Sequence, residues 1–247
     1  MQALTHFSLR GFSRAALLSC LSVAALMASQ AAAQSPPAPA QTVEQAVIKV
    51  LRERPELVRD ALAALEKKET ASKAKIAKAM LSKQAGAIAS ELGATVLGNP
   101  KGKVTVVEFI DYRCGYCKQM GPVIDALIQA DPDVRVLVKN LPILGPDSLE
   151  ASRLVLATEP AKRAELHHKL LGQSLDTALL QKLQAELGVS AAEMAKTDAT
   201  LGEVRKLSVD LGIQGTPALV VGSAIFYGAI SPEQLASAVN TARSGKK

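Results

Sequence analysis

Two cysteines, Cys114 and Cys117, stand three apart with Gly115 and Tyr116 between them. Side chains three apart at the start of a helix share one face, so the two sulfurs can close a small disulfide ring with little movement. The apolar spacing predicts such a helix from about Cys114 to about Ala130. Its free N–H groups and macrodipole favour an anion at Cys114, and Arg113 and Lys118 add positive charge nearby. A thiolate is the nucleophile of thiol–disulfide chemistry, which makes Cys114 the expected attacking group. Cys117, one turn further in, should be less exposed and act as the resolving thiol that releases a mixed disulfide. Glu108 lies six residues before Cys114, on the strand feeding the helix. A half-buried acid there can take the Cys117 proton during exchange; the plainer alternative is an exposed strand carboxylate. Gly215-Thr216-Pro217 precedes a short strand, and proline suits a strand start because it cannot donate to a ladder.

Other uses of a cysteine pair are weaker. Structural zinc needs four ligands, and there is no second C-x-x-C. Beyond residue 33 the only histidines are His167 and His168, adjacent on an expected helix. Neighbours on a helix point in different directions, so they read as solvated residues rather than a chelating pair. A Cu(I) site on the two thiols stays open, since soft thiolates suit that ion. An inert disulfide across so short a loop would restrain the unfolded chain little. Exchange itself requires neither a metal nor a dissociable cofactor.

The elements that must position these groups belong to a chain of 247 residues, 48% hydrophobic and 21% charged. That balance excludes a collagen-like or wholly disordered protein. No Trp and 3% aromatics argue against a nucleic-acid reader built on base stacking. Residues 1–14 hold Arg10 and Arg14 and no acid, Ala15 to Met27 is apolar or small, and Ala31-Ala32-Ala33 offers a cleavage site. This order predicts a signal peptide over 1–33, cut after about Ala33, and a periplasmic protein. The apolar run stops near Ser29, short of the roughly 20 residues a spanning helix needs. Leu17-Leu18-Ser19-Cys20 loosely resembles a lipobox, but the apolar run continues past Cys20. Cleavage removes two Arg and no acid, taking the formal charge from +6 to +4. It also removes Cys20, leaving a single adjacent pair in an exported chain, where structural disulfides are the usual use of cysteine.

Residues 34–41 form a Pro/Ala linker. Residues 42–92 read as helical, opening on a Thr42–Gln45 capping box. Val43, Ala46, Val47, Val50 and Leu51 make one apolar stripe, and Leu57, Val58, Ala61, Leu62 and Leu65 a second, with Pro55 between. Short amphipathic helices need a partner, either the main domain or the same segment of sister chains. Six Lys between 67 and 83 read as a solvated face. After a turn at Asn99-Pro100-Lys101-Gly102 comes a strand to Ile110, the cysteine helix, and a strand at 134–138. Several helices follow over about 148–211, with Gly188 as a C-cap and Ser190–Glu193 as a capping box. Short strands at 218–221 and 224–227 precede a last helix capped by Ser231. The fold class is α/β, with an all-helical insertion.

The run from Val104 to Lys118, the run Leu141 to Ser148, and Gly212 to Gly222 followed by Gly228 to Leu235 resemble the DsbA family of exported thiol–disulfide oxidoreductases. The resemblance covers about residues 95–243. It implies a thioredoxin fold with a helical insertion, in which Cys114 attacks, Cys117 resolves and Glu108 is the buried acid. It implies a cis bond at Thr216–Pro217, with the backbone before it pairing with the substrate. Gly115-Tyr116 stands where the best-known member has Pro-His, and the oxidising contribution of that His is absent. The 42–92 prefix resembles the N-terminal segments of ScsC-like and DsbG/DsbC-like branches, which implies a homo-oligomer. The implied partners are Cys-containing exported proteins and a membrane redox protein, DsbB-like for an oxidase or DsbD-like for an isomerase or reductase. The rival class is a copper-binding or chaperone module using the thiols as ligands.

Overall fold

A computed structural model describes residues 42–245, without the side chains of 73 and 74. The expected signal peptide (1–33) and linker (34–41) lie outside the described residues. The chain divides into two units between Ala64 and Leu65, so the helical prefix expected over 42–92 is shared between them.

In the first unit, Thr42 caps α1 (Val43–Glu53) through the expected reciprocal bonds with Gln45. Helix α1 buries none of its residues, and Val43, Val47, Ile48, Val50 and Leu51 are all exposed. Pro55 separates it from α2 (Glu56–Lys83), a single 28-residue helix that crosses the unit division.

The second unit is built on a five-stranded sheet of order β1-β3-β2-β4-β5. Its strands are β1 (Ala94–Gly98), β2 (Val104–Ile110), β3 (Val134–Asn140), β4 (Ala218–Val221) and β5 (Ala224–Tyr227). Strands β2 and β3 are parallel and joined by α4 (Gly115–Ala130); β1 and β4 run antiparallel to their neighbours. Strand β1 is an addition to the sequence reading. Five residues of mixed polarity carry no periodicity, and it is the pairing with β3 that makes them a strand. The turn at Asn99–Gly102 therefore lies inside the sheet domain, between β1 and β2.

Alternation along β2 divides the core. Val106 and Ile110 face a cluster with Met120 and Ile124 of α4, and Val107 and Phe109 face the other side. That other side is covered by Leu81 of α2, Ile88 of α3 (Ala85–Ala89), and Val204 and Leu207 of α9 (Asp198–Asp210). Leu81 and Ile88, within the expected prefix, thus belong to the core of the sheet domain. The insertion comprises α5 (Pro146–Ala157), α6 (Pro160–Leu171), α7 (Thr177–Leu187), α8 (Ala191–Lys196) and α9, and α10 (Pro232–Arg243) closes the chain. Gly188 ends α7 at φ 67°, and Ser190 and Glu193 cap α8 reciprocally. At α10 the capping partner of Ser231 is Gln234, while Glu233 sits in the first turn.

A Cβ at Gly102 would lie 2.7–2.8 Å from backbone atoms of residues 133–135, whereas one at Gly202, on the exposed face of α9, would meet nothing within 4 Å. In urea unfolding, Gly102→Ala should cost about 1–3 kcal/mol and Gly202→Ala should add about 0.5–1 kcal/mol.

Candidate active site

Strand β2 ends at Ile110, and Asp111 to Cys114 carry the chain into α4. Cys114 is the N-cap of that helix, in extended conformation, and its Sγ accepts the Cys117 backbone N–H at 3.4 Å. The Cys114 thiol donates to the Thr216 carbonyl oxygen at 3.2 Å. Register explains how residues 102 positions apart meet. Strand β4 runs antiparallel to β2 with Ala218 opposite Phe109, so the start of β4 lies beside the end of β2. The Thr216–Pro217 peptide is cis. Both cysteines are free thiols. Cys117 is fully buried and Cys114 is 7% exposed, the expected order. Burial pushes the Cys117 thiol well up from its ordinary range. Tyr116 is 64% exposed beside them. The structure therefore brings Cys114, Gly115, Tyr116, Cys117, Thr216 and Pro217 to one site.

Glu108 is buried rather than half-buried, at 2% exposure. It alternates with Val106 and Ile110 and so faces the side of the sheet that α4 covers. Burial first, and then the charge of Asp125 on α4, push its carboxyl up to about 8. No hydrogen bond joins it to either cysteine. The two cations expected near Cys114 are tied to carbonyls of other segments: the Arg113 guanidinium donates to Leu144 at 3.1 Å, and the Lys118 ammonium donates to Gln173. Among the described residues no three His, Cys, Asp or Glu side chains gather to hold a metal ion.

These features meet a family pattern. The model of the DSBA-like thioredoxin domain matches residues 105–240, more than half of the chain. The chain belongs to the DSBA-like thioredoxin-domain family. It is a protein thiol–disulfide oxidoreductase with ScsC-like relatives. A linker-deletion mutant of ScsC from Proteus mirabilis is 28% identical, with a TM-score of 0.67, over 85% of this chain and 100% of that one. The thiol-disulfide exchange protein α-DsbA2 from Wolbachia pipientis is 26% identical, with a TM-score of 0.61, over 68% and 97%. A periplasmic thioredoxin-like protein from Salmonella enterica serovar Typhimurium is 30% identical, with a TM-score of 0.59, over 64% and 94%. No curated protein matches the sequence.

Two features of this DSBA-like site escaped the sequence reading. Asp111 is fully buried, and its carboxylate accepts the N–H groups of Arg113, Ile143 and Leu144 at 2.8, 2.8 and 2.9 Å and the Ser148 hydroxyl at 2.6 Å. Its own carbonyl accepts the Cys114 N–H. An aspartate three residues before a helix N-cap signals a local turn, but partners 32 to 37 residues away carry no sequence signal. The other is His167. It was expected to be solvated, yet it is 2% exposed and within hydrogen-bond distance of Tyr112. It faces the core of the domain, while His168 alone reaches solvent and pairs with Asp125 at 2.9 Å.

Folding raises Glu108 from 4.5 to about 8, so the native state prefers its neutral form. Its contribution to stability is complete below pH 4.5 and is lost as pH rises through about 8. Glu108→Gln, neutral at every pH, should match the wild type in urea near pH 4.5 and exceed it near pH 8 by a few kcal/mol. A wild type that is the more stable at pH 8 would contradict this burial cost.

Proposed function

We propose that the protein is a periplasmic enzyme that exchanges disulfides with exported proteins through Cys114 and Cys117. The observation that carries the reading is the Cys114 sulfur at the mouth of α4, 3.2 Å from the Thr216 carbonyl and one turn from a buried second thiol. In the reducing direction the Cys114 thiolate attacks one sulfur of a substrate disulfide, and the other substrate sulfur leaves and takes a proton. The ionised form of Glu108 takes the Cys117 proton, Cys117 attacks the Cys114 sulfur, and the second substrate thiolate departs. Two electrons pass from the cysteine pair to the substrate; the oxidising direction is the reverse. A buried carboxyl that titrates near 8 suits Glu108 to hold and return that proton around neutral pH. Thr216, before the cis proline, offers backbone to an extended substrate chain, with exposed Tyr116 beside it.

The composition of residues 1–33 and the likeness to a periplasmic thioredoxin-like protein support export. No described helix is long and apolar enough to cross a membrane. The bare apolar stripe of α1 supports self-association, because an 11-residue helix with no buried face is marginal alone. An oligomer favours the isomerase or reductase role, kept reduced by a DsbD-like membrane partner. A monomer favours an oxidase served by a DsbB-like one.

Cys114→Ser should reduce insulin reduction and disulfide formation to background, and Cys117→Ser should accumulate mixed disulfides with exported proteins. Retained activity in Cys114→Ser would end the mechanism. Acid quenching and alkylation in cells should find the pair mainly reduced, whereas a mainly oxidised pair means an oxidase. Light scattering should give a multiple of the chain mass for the wild type and a monomer for the Val47→Asp, Leu51→Asp double variant. Equal monomer masses would exclude association through α1.

A further inference from the structure

Tyr112 lies two residues before Cys114, and the exchange steps make no use of it. It is fully buried, in the same cluster as both cysteines. Its hydroxyl is 3.2 Å from Nδ1 of His167 on α6, and the two rings meet edge to face with centroids 5.8 Å apart. Burial first, and then the neighbouring His168, push His167 down to about 3, so the imidazole is neutral. Burial, and then the charge of Glu108, push the Tyr112 phenol up, so the hydroxyl keeps its proton. Both partners are neutral, and the imidazole tautomer sets which of them donates. The next residue of α6, His168, binds Asp125 of α4. One insertion helix thus holds both the segment that enters Cys114 and the helix that contains Cys117.

We propose that the buried Tyr112–His167 hydrogen bond is a positioning contact through which the helical insertion holds Cys114 and sets the dithiol–disulfide equilibrium of Cys114 and Cys117. This rests on the reading that those two cysteines carry the exchange. A disulfide tolerates a narrow range of Cβ separations and torsions. Cys117 is locked inside α4, so closure depends on where the segment from Asp111 to Arg113 puts Cys114. That segment has two buried side-chain anchors. Asp111 ties it to Ile143, Leu144 and Ser148, and Tyr112 ties it to α6. In the dithiol, the Cys114 sulfur rests against Thr216 and the Cys117 N–H. In the disulfide it must turn to the Cys117 sulfur. A loosened segment cannot serve both arrangements equally, so losing one anchor shifts their ratio.

The test uses the chain without residues 1–33, as wild type, Tyr112→Phe, His167→Leu and the double variant. Each is equilibrated with reduced and oxidised glutathione, quenched in acid and alkylated. Oxidation transfers two electrons and two protons from the thiols to one glutathione disulfide, releasing two glutathione molecules. Urea midpoints are measured in parallel. The equilibrium constant should change by about five-fold in all three variants. The double variant should recover much of the stability that each single change loses, because it leaves no lone polar partner buried. Constants within about two-fold of wild type, with lowered urea midpoints, would mean a purely structural bond and overturn the proposal. Should His167→Leu fail to fold, Tyr112→Phe alone decides, since it keeps the ring in place. A wild type that shows this equilibrium but catalyses no exchange on protein substrates sinks the functional reading instead, while the same constants still judge the anchor.

Discussion

The antiparallel pairing of β4 with β2 is the constraint from which the site follows. It sets the first residue of β4 against the penultimate residue of β2, and so delivers the Thr216 carbonyl to the thiol that begins α4. Neither partner can be moved without moving a strand in the middle of the sheet, where both faces are buried. The thiol is itself fixed by being a helix cap, with the Cys117 N–H directed at its sulfur. The chemistry therefore sits where three rigid pieces end: the C-terminal end of one strand, the N-terminal end of another, and a helix start rich in unpaired N–H groups.

The two faces of the sheet have different duties. One is an apolar layer with Val107, Phe109, Val204 and Leu207. The other contains both cysteines and the acid Glu108, whose burial raises its proton affinity. An ionisable group without a salt-bridge partner at such a position costs stability, and strand alternation aims it at the helix that carries the thiols. The same face accommodates Tyr112 and His167, while the opposite face buries Lys139, whose ammonium donates to the Ser90 carbonyl oxygen.

The insertion is more than a lid on the thioredoxin core. Asp111 and Tyr112, consecutive in sequence, reach different parts of it, one to the loop and first turn of α5 and the other to α6. Four donors converge on one buried carboxylate, an arrangement that is costly to disturb because each donor would be left unpaired. The loop that contains the nucleophile is thus braced by residues distant in sequence.

Much of this was legible along the chain. The C-x-x-C spacing, the helix that must start there, the caps at Thr42, Ser190 and Ser231, and the strand periodicity of β2 are local features, encoded in neighbouring residues and their turn chemistry. The order of elements around the helical insertion could be read for the same reason. Other features exist only once distant segments meet. β1 became a strand because β3 offered an edge, not because of its own pattern. Leu81 and Ile88 became core because the sheet face opposite α4 needed covering. The full burial of Glu108, the partners of Asp111 and the inward turn of His167 depend on which surfaces were brought together. Composition and spacing determine which groups are present and which local shapes they take; burial and long-range hydrogen bonding belong to packing, and packing decided which of the two histidines is part of the core.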